Sequence, residues 1–137
     1  MIEQVLAQAR SRIARYTPAE AAAADGVLLV DLRSRDERER DGIIPGSVHV
    51  PRSVLEWRCD PDSSSANPVV ADRSLRLVLV CAHGYSSSLA AASLADLGFE
   101  SPGDLAGGFE AWREAGLPVA PAPLPADGLP GMGGPEA

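Results

Sequence analysis

Apolar residues come in short bursts between capped, charged segments, and their order predicts alternating helices and strands. Ile2, Val5, Leu6, Ala9 and Ile13 recur at helical spacing, the single apolar stripe of a helix packed on the flank of the fold. Thr17-Pro18-Ala19-Glu20 reads as a capping box with proline at the first helical position, opening a helix through the alanines to Gly26. Val27-Leu28-Leu29-Val30 is a continuous apolar run, as in a strand covered on both faces. Ser34 and Glu37 form a second capping box, starting a short charged helix that Asp41-Gly42 stops. Val48-His49-Val50 is a brief strand closed by Pro51, followed by a helical turn or two around Ser53 to Trp57 and then a polar loop.

Leu75 to Val80 (LRLVLV) has the pattern of a central strand. It runs directly into CAHGYSSS and then into a helix, LAAASLADL, whose Ala90, Leu94 and Leu97 share a face and which Gly98 ends. Asp104-Leu105-Ala106 reads as a last short strand, and Gly107-Gly108 leads into the amphipathic segment FEAWREAG. Strand and helix alternate throughout. That order predicts an α/β fold, a parallel sheet with helices on both faces and ligands expected beyond the carboxyl ends of the strands.

Composition narrows the picture. With 137 residues, 45% hydrophobic and 23% charged, the chain has the make-up of one folded domain. Residues 120–137 differ: proline, glycine and alanine dominate, which predicts a disordered or loosely draped tail. No apolar run approaches the ~20 residues needed to span a bilayer, and the start, MIEQVLAQARSR, lacks a signal peptide's layout. The expectation is a cytoplasmic protein that does not engage membranes. The net charge is −7 and all 12 basic residues are arginine. Such a balance argues against nucleic-acid binding and leaves arginine, histidine or backbone N–H groups to meet any anionic substrate. Two cysteines, Cys59 and Cys81, are too few for a disulfide scaffold or a four-cysteine zinc site. His49 and His83 fit no ligand spacing with them, so no metal is expected.

Cys81 stands where chemistry is expected. It ends a buried strand and begins a short loop feeding a helix N-terminus, where the backbone N–H groups of residues 82–87 can curl round the sulfur. Such a nest lowers a thiol's pKa and equally suits a persulfide or an oxyanion. Gly84 permits backbone angles closed to other residues, and Ser86-Ser87-Ser88 offers helix caps and hydroxyl donors.

Three segments, in order and spacing, give the chain a resemblance to the rhodanese-like sulfurtransferase family over residues 15–119. Leu29-Val30-Asp31-Leu32-Arg33, with Glu37 and the run from Gly42 to Pro51 (GIIPGSVHVP), resembles the family's N-terminal signature. Cys81 to Ser87 falls at the active-site loop, and Asp104-Leu105-Ala106-Gly107-Gly108-Phe109-Glu110-Ala111-Trp112, ending in Gly116-Leu117-Pro118-Val119, resembles the C-terminal signature. The resemblance implies five mostly parallel strands flanked by helices, with residues 1–14 as a flanking helix. It also implies a Cys81 nucleophile that takes sulfane sulfur from a small donor such as thiosulfate, becomes a persulfide, and passes the sulfur to cyanide, a thiol or a protein. Ala82, His83, Gly84, Tyr85, Ser86 and Ser87 would cradle the persulfide, with no metal or organic cofactor. Many members carry a cation two positions after the loop glycine; here that position is Ser86. Arg33, Arg52 or Arg58 could reach the pocket mouth, with Trp57 as a wall.

Plainer roles go to the other residues. Cys59, with no glycine loop beside it, reads as filler. His49 reads as a hydrogen-bonded residue near the core, and His83 as either exposed or tuning the loop. Asp31 reads as an ion pair or turn cap. The run Arg35 to Arg40 alternates in sign, as on a solvated helix face. Trp57 and Trp112 read as packing anchors. Two other functions stand beside sulfur transfer. One is a non-catalytic module that carries sulfur or binds a partner. The other is a cysteine phosphatase or arsenate reductase, whose loop needs arginine six residues after the cysteine, where this chain has Ser87.

Overall fold

The computed structural model describes residues 1–125 and 128–137. Helix α1 (Ile2–Arg10) is followed by strand β1 (Ala14–Tyr16), helix α2 (Pro18–Ala23), strand β2 (Val27–Asp31), helix α3 (Arg35–Asp41) and strand β3 (Val48–His49). A 3-10 turn (Arg52–Val54) leads into helix α4 (Leu55–Cys59), strand β4 (Arg76–Val80), helix α5 (Ser86–Asp96), strand β5 (Gly103–Leu105) and helix α6 (Gly108–Glu114). The five strands lie in the order β1-β5-β4-β2-β3, and every pairing among them is parallel. No helix among the described residues is long and apolar enough to cross a membrane.

Both capping boxes form as the sequence predicts. Thr17 and Glu20 exchange bonds at the start of α2, and Ser34 and Glu37 do so at α3. The period of two along β4 divides the core. Leu77 and Leu79 pack with Ala90, Ala91 and Leu94 of α5, whereas Val78 and Val80 pack with Leu105, Phe109 and Trp112 on the opposite face. Trp112 is buried, and its indole N–H donates to the Pro118 carbonyl at 2.8 Å.

Several sequence expectations need correction. The N-terminal stripe does not continue to Ile13: α1 ends at Arg10, and residue 15 lies inside an edge strand paired with β5. A three-residue strand offers too little alternation to be recognised from pattern alone. Arg38 does not belong to a solvated face; it is buried and bonds Asp31 and Glu136. Trp57 is 59% exposed and anchors nothing.

The tail is the largest difference. Ala126 and Asp127 lie outside the described residues. On either side of them the chain is fastened rather than loose. Ala120 forms an antiparallel bridge with Ile43. Asn67 donates to the carbonyls of Gly131 (2.8 Å) and Gly133 (2.9 Å), Arg58 donates to that of Pro130 (2.8 Å), and the Glu136 amide donates to the Ser47 carbonyl (2.9 Å). Tail composition reports how little apolar bulk it can bury, not how many backbone carbonyls a body can grip.

Candidate active site

The strand order places the carboxyl ends of β4 and β2 side by side at the centre of the sheet. From β4 the chain goes on to β5 on one side, and from β2 to β3 on the other, so the crevice between them is the switch point where an α/β sheet offers a binding site. Cys81 is the first residue beyond β4 and the loop 81–85 opens into this crevice.

The loop is shaped by what holds its carbonyls. Phe109 and Glu110, in the first turn of α6, donate their amides to the carbonyls of Cys81 (2.8 Å) and Ala82 (3.1 Å). Beyond those two carbonyls the loop curls back, and two later amides meet the sulfur. The Gly84 N–H reaches Cys81 Sγ at 3.1 Å and the Ser87 N–H at 3.4 Å. Gly84 has φ +84, and a Cβ on it would stand 2.6 Å from the Gly107 nitrogen. Gly108, at φ +65, leaves room for the Cys81 and Ala82 carbonyls in the same way. Gly108 at the start of α6 and the loop glycine therefore serve one contact.

Cys81 is 7% exposed. Burial opposes ionisation, but hydrogen bonds from Ser87, Ser86 and the Ser87 and Gly84 amides outweigh it, holding the thiol below its ordinary value. The Ser87 hydroxyl has a single proton, which it donates to Asp104 at 2.8 Å, so the two amides and Ser86 are the steadier donors. Cys59 is the opposite case: burial, with the Glu56 charge adding to it, pushes its thiol up to about 12.

The residues proposed for the loop come together, and those proposed for the pocket do not. A cavity of about 290 Å³ lies against Ala82 and His83, and Arg33, Arg40, Phe109 and Arg113 are among its other walls. Arg33 is buried with its guanidinium 3.8 Å from the Phe109 ring centroid, bonded to both Asp31 oxygens and, at 2.7 Å, to the Gly42 carbonyl. Asp31 thus has the ion-pair role the sequence suggested. Arg52 instead pairs with Glu56, Arg58 is buried on the Ser65 and Pro130 carbonyls, and neither they nor Trp57 line this cavity. A larger cavity of about 560 Å³ lies under the tail and touches none of residues 81–88. His49 gives its Nε2 to the Arg33 carbonyl at 2.7 Å, and burial lowers its pKa, so the ring is neutral at pH 7 and Nε2–H is the donor. His83 is exposed.

The serines do not cap α5; Ser87 and Ser88 both donate to Asp104 Oδ2 at 2.8 Å. Asp104 is fully buried and also receives Arg15 Nε at 2.9 Å. Arg10 and Arg15 were not legible as site residues, because their partners lie 69 to 89 positions away in the chain; nor was Asp104, whose serine partners are 16 and 17 positions away.

A family model described as a rhodanese-like domain matches residues 17–115. The thiosulfate sulfurtransferase GlpE of Stutzerimonas stutzeri (strain A1501) is 39% identical over 88 residues, 64% of this chain and 72% of the relative. Among solved structures, a protein of unknown function from Rhodopseudomonas palustris CGA009, described as a possible tyrosine phosphatase, superposes with a TM-score of 0.81 at 39% identity, covering 88% of this chain and 94% of its own. A rhodanese-related protein from Thermoplasma volcanium superposes with a TM-score of 0.63 at 26% identity, covering 79% of this chain and 98% of its own.

Proposed function

The chain belongs to the rhodanese-like domain family and is a rhodanese-type sulfurtransferase, and on that premise we propose that Cys81 is its sulfur-carrying nucleophile. The observation that carries this reading is the pair of amides, Gly84 and Ser87, directed at Sγ. With thiosulfate as donor, the Cys81 thiolate attacks the outer sulfur. A new S–S bond forms, the donor's own S–S bond breaks, and sulfite leaves with that bond's electron pair. The persulfide that remains is an anion one atom longer, and the loop amides suit its charge as they suit the thiolate's. An acceptor then attacks the terminal sulfur: cyanide leaves as thiocyanate, a thiolate as a persulfide, and Cys81 is restored. The sulfur itself is the group carried, so electrons balance without an outside oxidant.

A name borne by the Stutzerimonas relative supports thiosulfate as the donor, and the exposed rim of the loop, Tyr85 and Ser86, suits a thiol on a protein as well as a small acceptor. The proposed setting is cytoplasmic. A phosphatase role would require a guanidinium to grip a phosphoryl group six residues after the cysteine, and Ser87 supplies none. The test is mass spectrometry of the Cys81 peptide after incubation with thiosulfate. We expect the mass of one sulfur atom to be added, to be removed by cyanide, and to be absent in Cys81→Ser. An unmodified peptide, or cysteine-dependent hydrolysis of an aryl phosphate, would overturn the assignment.

A further inference from the structure

Residues 81–96 contain no lysine or arginine, so the loop has no cation of its own beside the thiolate. Two arginines stand behind it. Arg10, the last residue of α1, donates Nη2 to the Gly84 carbonyl at 2.9 Å. Arg15, in β1, donates Nη2 to the same oxygen at 3.1 Å. Arg10 also reaches Ser88 Oγ at 3.1 Å and lies over the Tyr85 ring, 5.7 Å from its centroid. Arg15 is anchored by Asp104, at 2.9 Å through Nε and 3.3 Å through Nη2. Asp104 in turn takes the hydroxyls of Ser87 and Ser88, the first of which carries the second amide on the sulfur. Both arginines precede the segment 17–115 over which the family match runs.

We propose that Arg10 and Arg15, the latter anchored by Asp104, are positioning residues for sulfur transfer: by holding the Gly84 carbonyl they pin the loop at the residue whose amide meets Cys81, and they supply the positive charge the loop lacks. A loop that turns its amides inwards turns carbonyls outwards, and a Gly84 carbonyl left without a donor would favour a shift of the loop backbone about Gly84. Two guanidinium groups on one oxygen remove that alternative, and arginine keeps its charge throughout the working pH range. The balance of this cluster is two positive charges against the single carboxylate of Asp104. The other charged or titratable groups around the loop are His83 on the loop, Glu110 and Arg113 on α6, Glu37, Arg40 and Asp41 on α3, and the Asp31–Arg33 pair at the end of β2. Glu110 pairs with Arg113, Asp31 with Arg33 and Asp41 with Arg40, and Glu37 is held in the Ser34 capping box.

This proposal rests on Cys81 being the nucleophile, so its test reads the thiol directly as well as turnover. The pH dependence of Cys81 alkylation by iodoacetamide, followed on the Cys81 peptide, is measured in the full-length protein and in Arg10→Met, Arg10→Lys and Arg15→Met. We expect the midpoint to rise by roughly half a unit to one unit in each methionine variant. Arg10→Lys restores most of it, because it returns the charge. Sulfur transfer from thiosulfate falls about ten-fold in kcat/KM in the methionine variants, with the loss in kcat. Arg15→Met strips Asp104 of its cation and risks misfolding; should it fail to fold, Arg10→Met, at a half-buried helix end, decides the matter. Unchanged alkylation midpoints in folded variants would overturn the proposal. The expected midpoint shift with no sulfur transfer even in the parent protein would uphold the arginines' action on the Cys81 thiol and overturn the assigned reaction instead.

Discussion

Cys59 and Cys81 are both buried, yet their surroundings act in opposite directions on the same chemical group. Cys59 has hydrocarbon around it and Glu56 near it, which disfavour a second negative charge; Cys81 has two peptide hydrogens aimed at its sulfur. The folded pKa of Cys59 is raised, so its contribution to stability is present below the ordinary thiol pKa of about 8.5 and fades as pH climbs towards 12. The folded pKa of Cys81 is lowered, so its contribution is present above the ordinary thiol pKa and is lost as pH falls through the folded value. Native protein treated with iodoacetamide should therefore be alkylated at Cys81 with a midpoint below that of a free cysteine, while Cys59 stays unmodified until the protein is unfolded. Peptide mapping across a pH series checks this; equal labelling of both would contradict it. Cys81 and Gly84 could be recognised from the sequence because everything that defines them is local: strand end, glycine, helix start. Arg10, Arg15 and Asp104 could not, since a charged residue has the same local pattern whether it meets water or a partner brought from another element.

Among the elements, α6 is the one whose docking makes the site. Its first turn binds two loop carbonyls, and this needs Gly108 at a positive φ with no side chain facing the loop. Gly108→Ala would place a Cβ 2.7 Å from the Ala82 carbonyl carbon and force a left-handed conformation on alanine. The expected cost is about 1–2 kcal/mol from the conformation alone, with more from the collision. Sulfur transfer should fall by well over ten-fold, because the loop must shift to make room. Gly116→Ala is the control: φ is +72 there, but nothing lies within 4 Å of the new methyl. It should lower the thermal midpoint through strain while leaving turnover per folded molecule unchanged; equal activity losses in the two variants would show that α6 does not shape the loop. At this scale the sequence was most informative for β4, whose apolar run is buried on both faces, for β2, whose run packs on both faces although Val27 to Leu29 are only half-buried, and for α2 and α3, whose capping residues are local. It was least informative for β1, where three residues of an edge strand are specified by pairing with Gly103, Asp104 and Leu105 rather than by any pattern of their own.

Across the whole molecule, the last ten residues return to the body at Ser47, Arg58 and Asn67. Asn67 is the centre of that attachment. It is 1% exposed, its amide nitrogen serves two tail carbonyls, and its Oδ1 accepts the Val69 amide at 3.0 Å. Composition could not reveal this, because the grip is on backbone oxygens of glycines, which any sequence supplies. Asn67→Ala leaves those carbonyls and the Val69 amide without their partner, at a cost of about 1–3 kcal/mol. The loss should appear first where the attachment is, as faster cleavage within residues 128–137 in limited proteolysis, ahead of a lower global melting temperature. Leu124→Ala, at a side chain 92% exposed, should change neither. Sulfur transfer should be preserved in Asn67→Ala, because the cavity under the tail shares no residue with the one beside Ala82 and His83. Cleavage rates identical to those of the parent would mean that the tail is held without Asn67. A selective loss of turnover in a protein with an intact melting transition would mean instead that the tail reaches the loop through the sheet. That coupling would have to pass from Glu136 through Arg38 and Asp31 to Arg33, the one chain of ion pairs among the described residues that joins the two cavities.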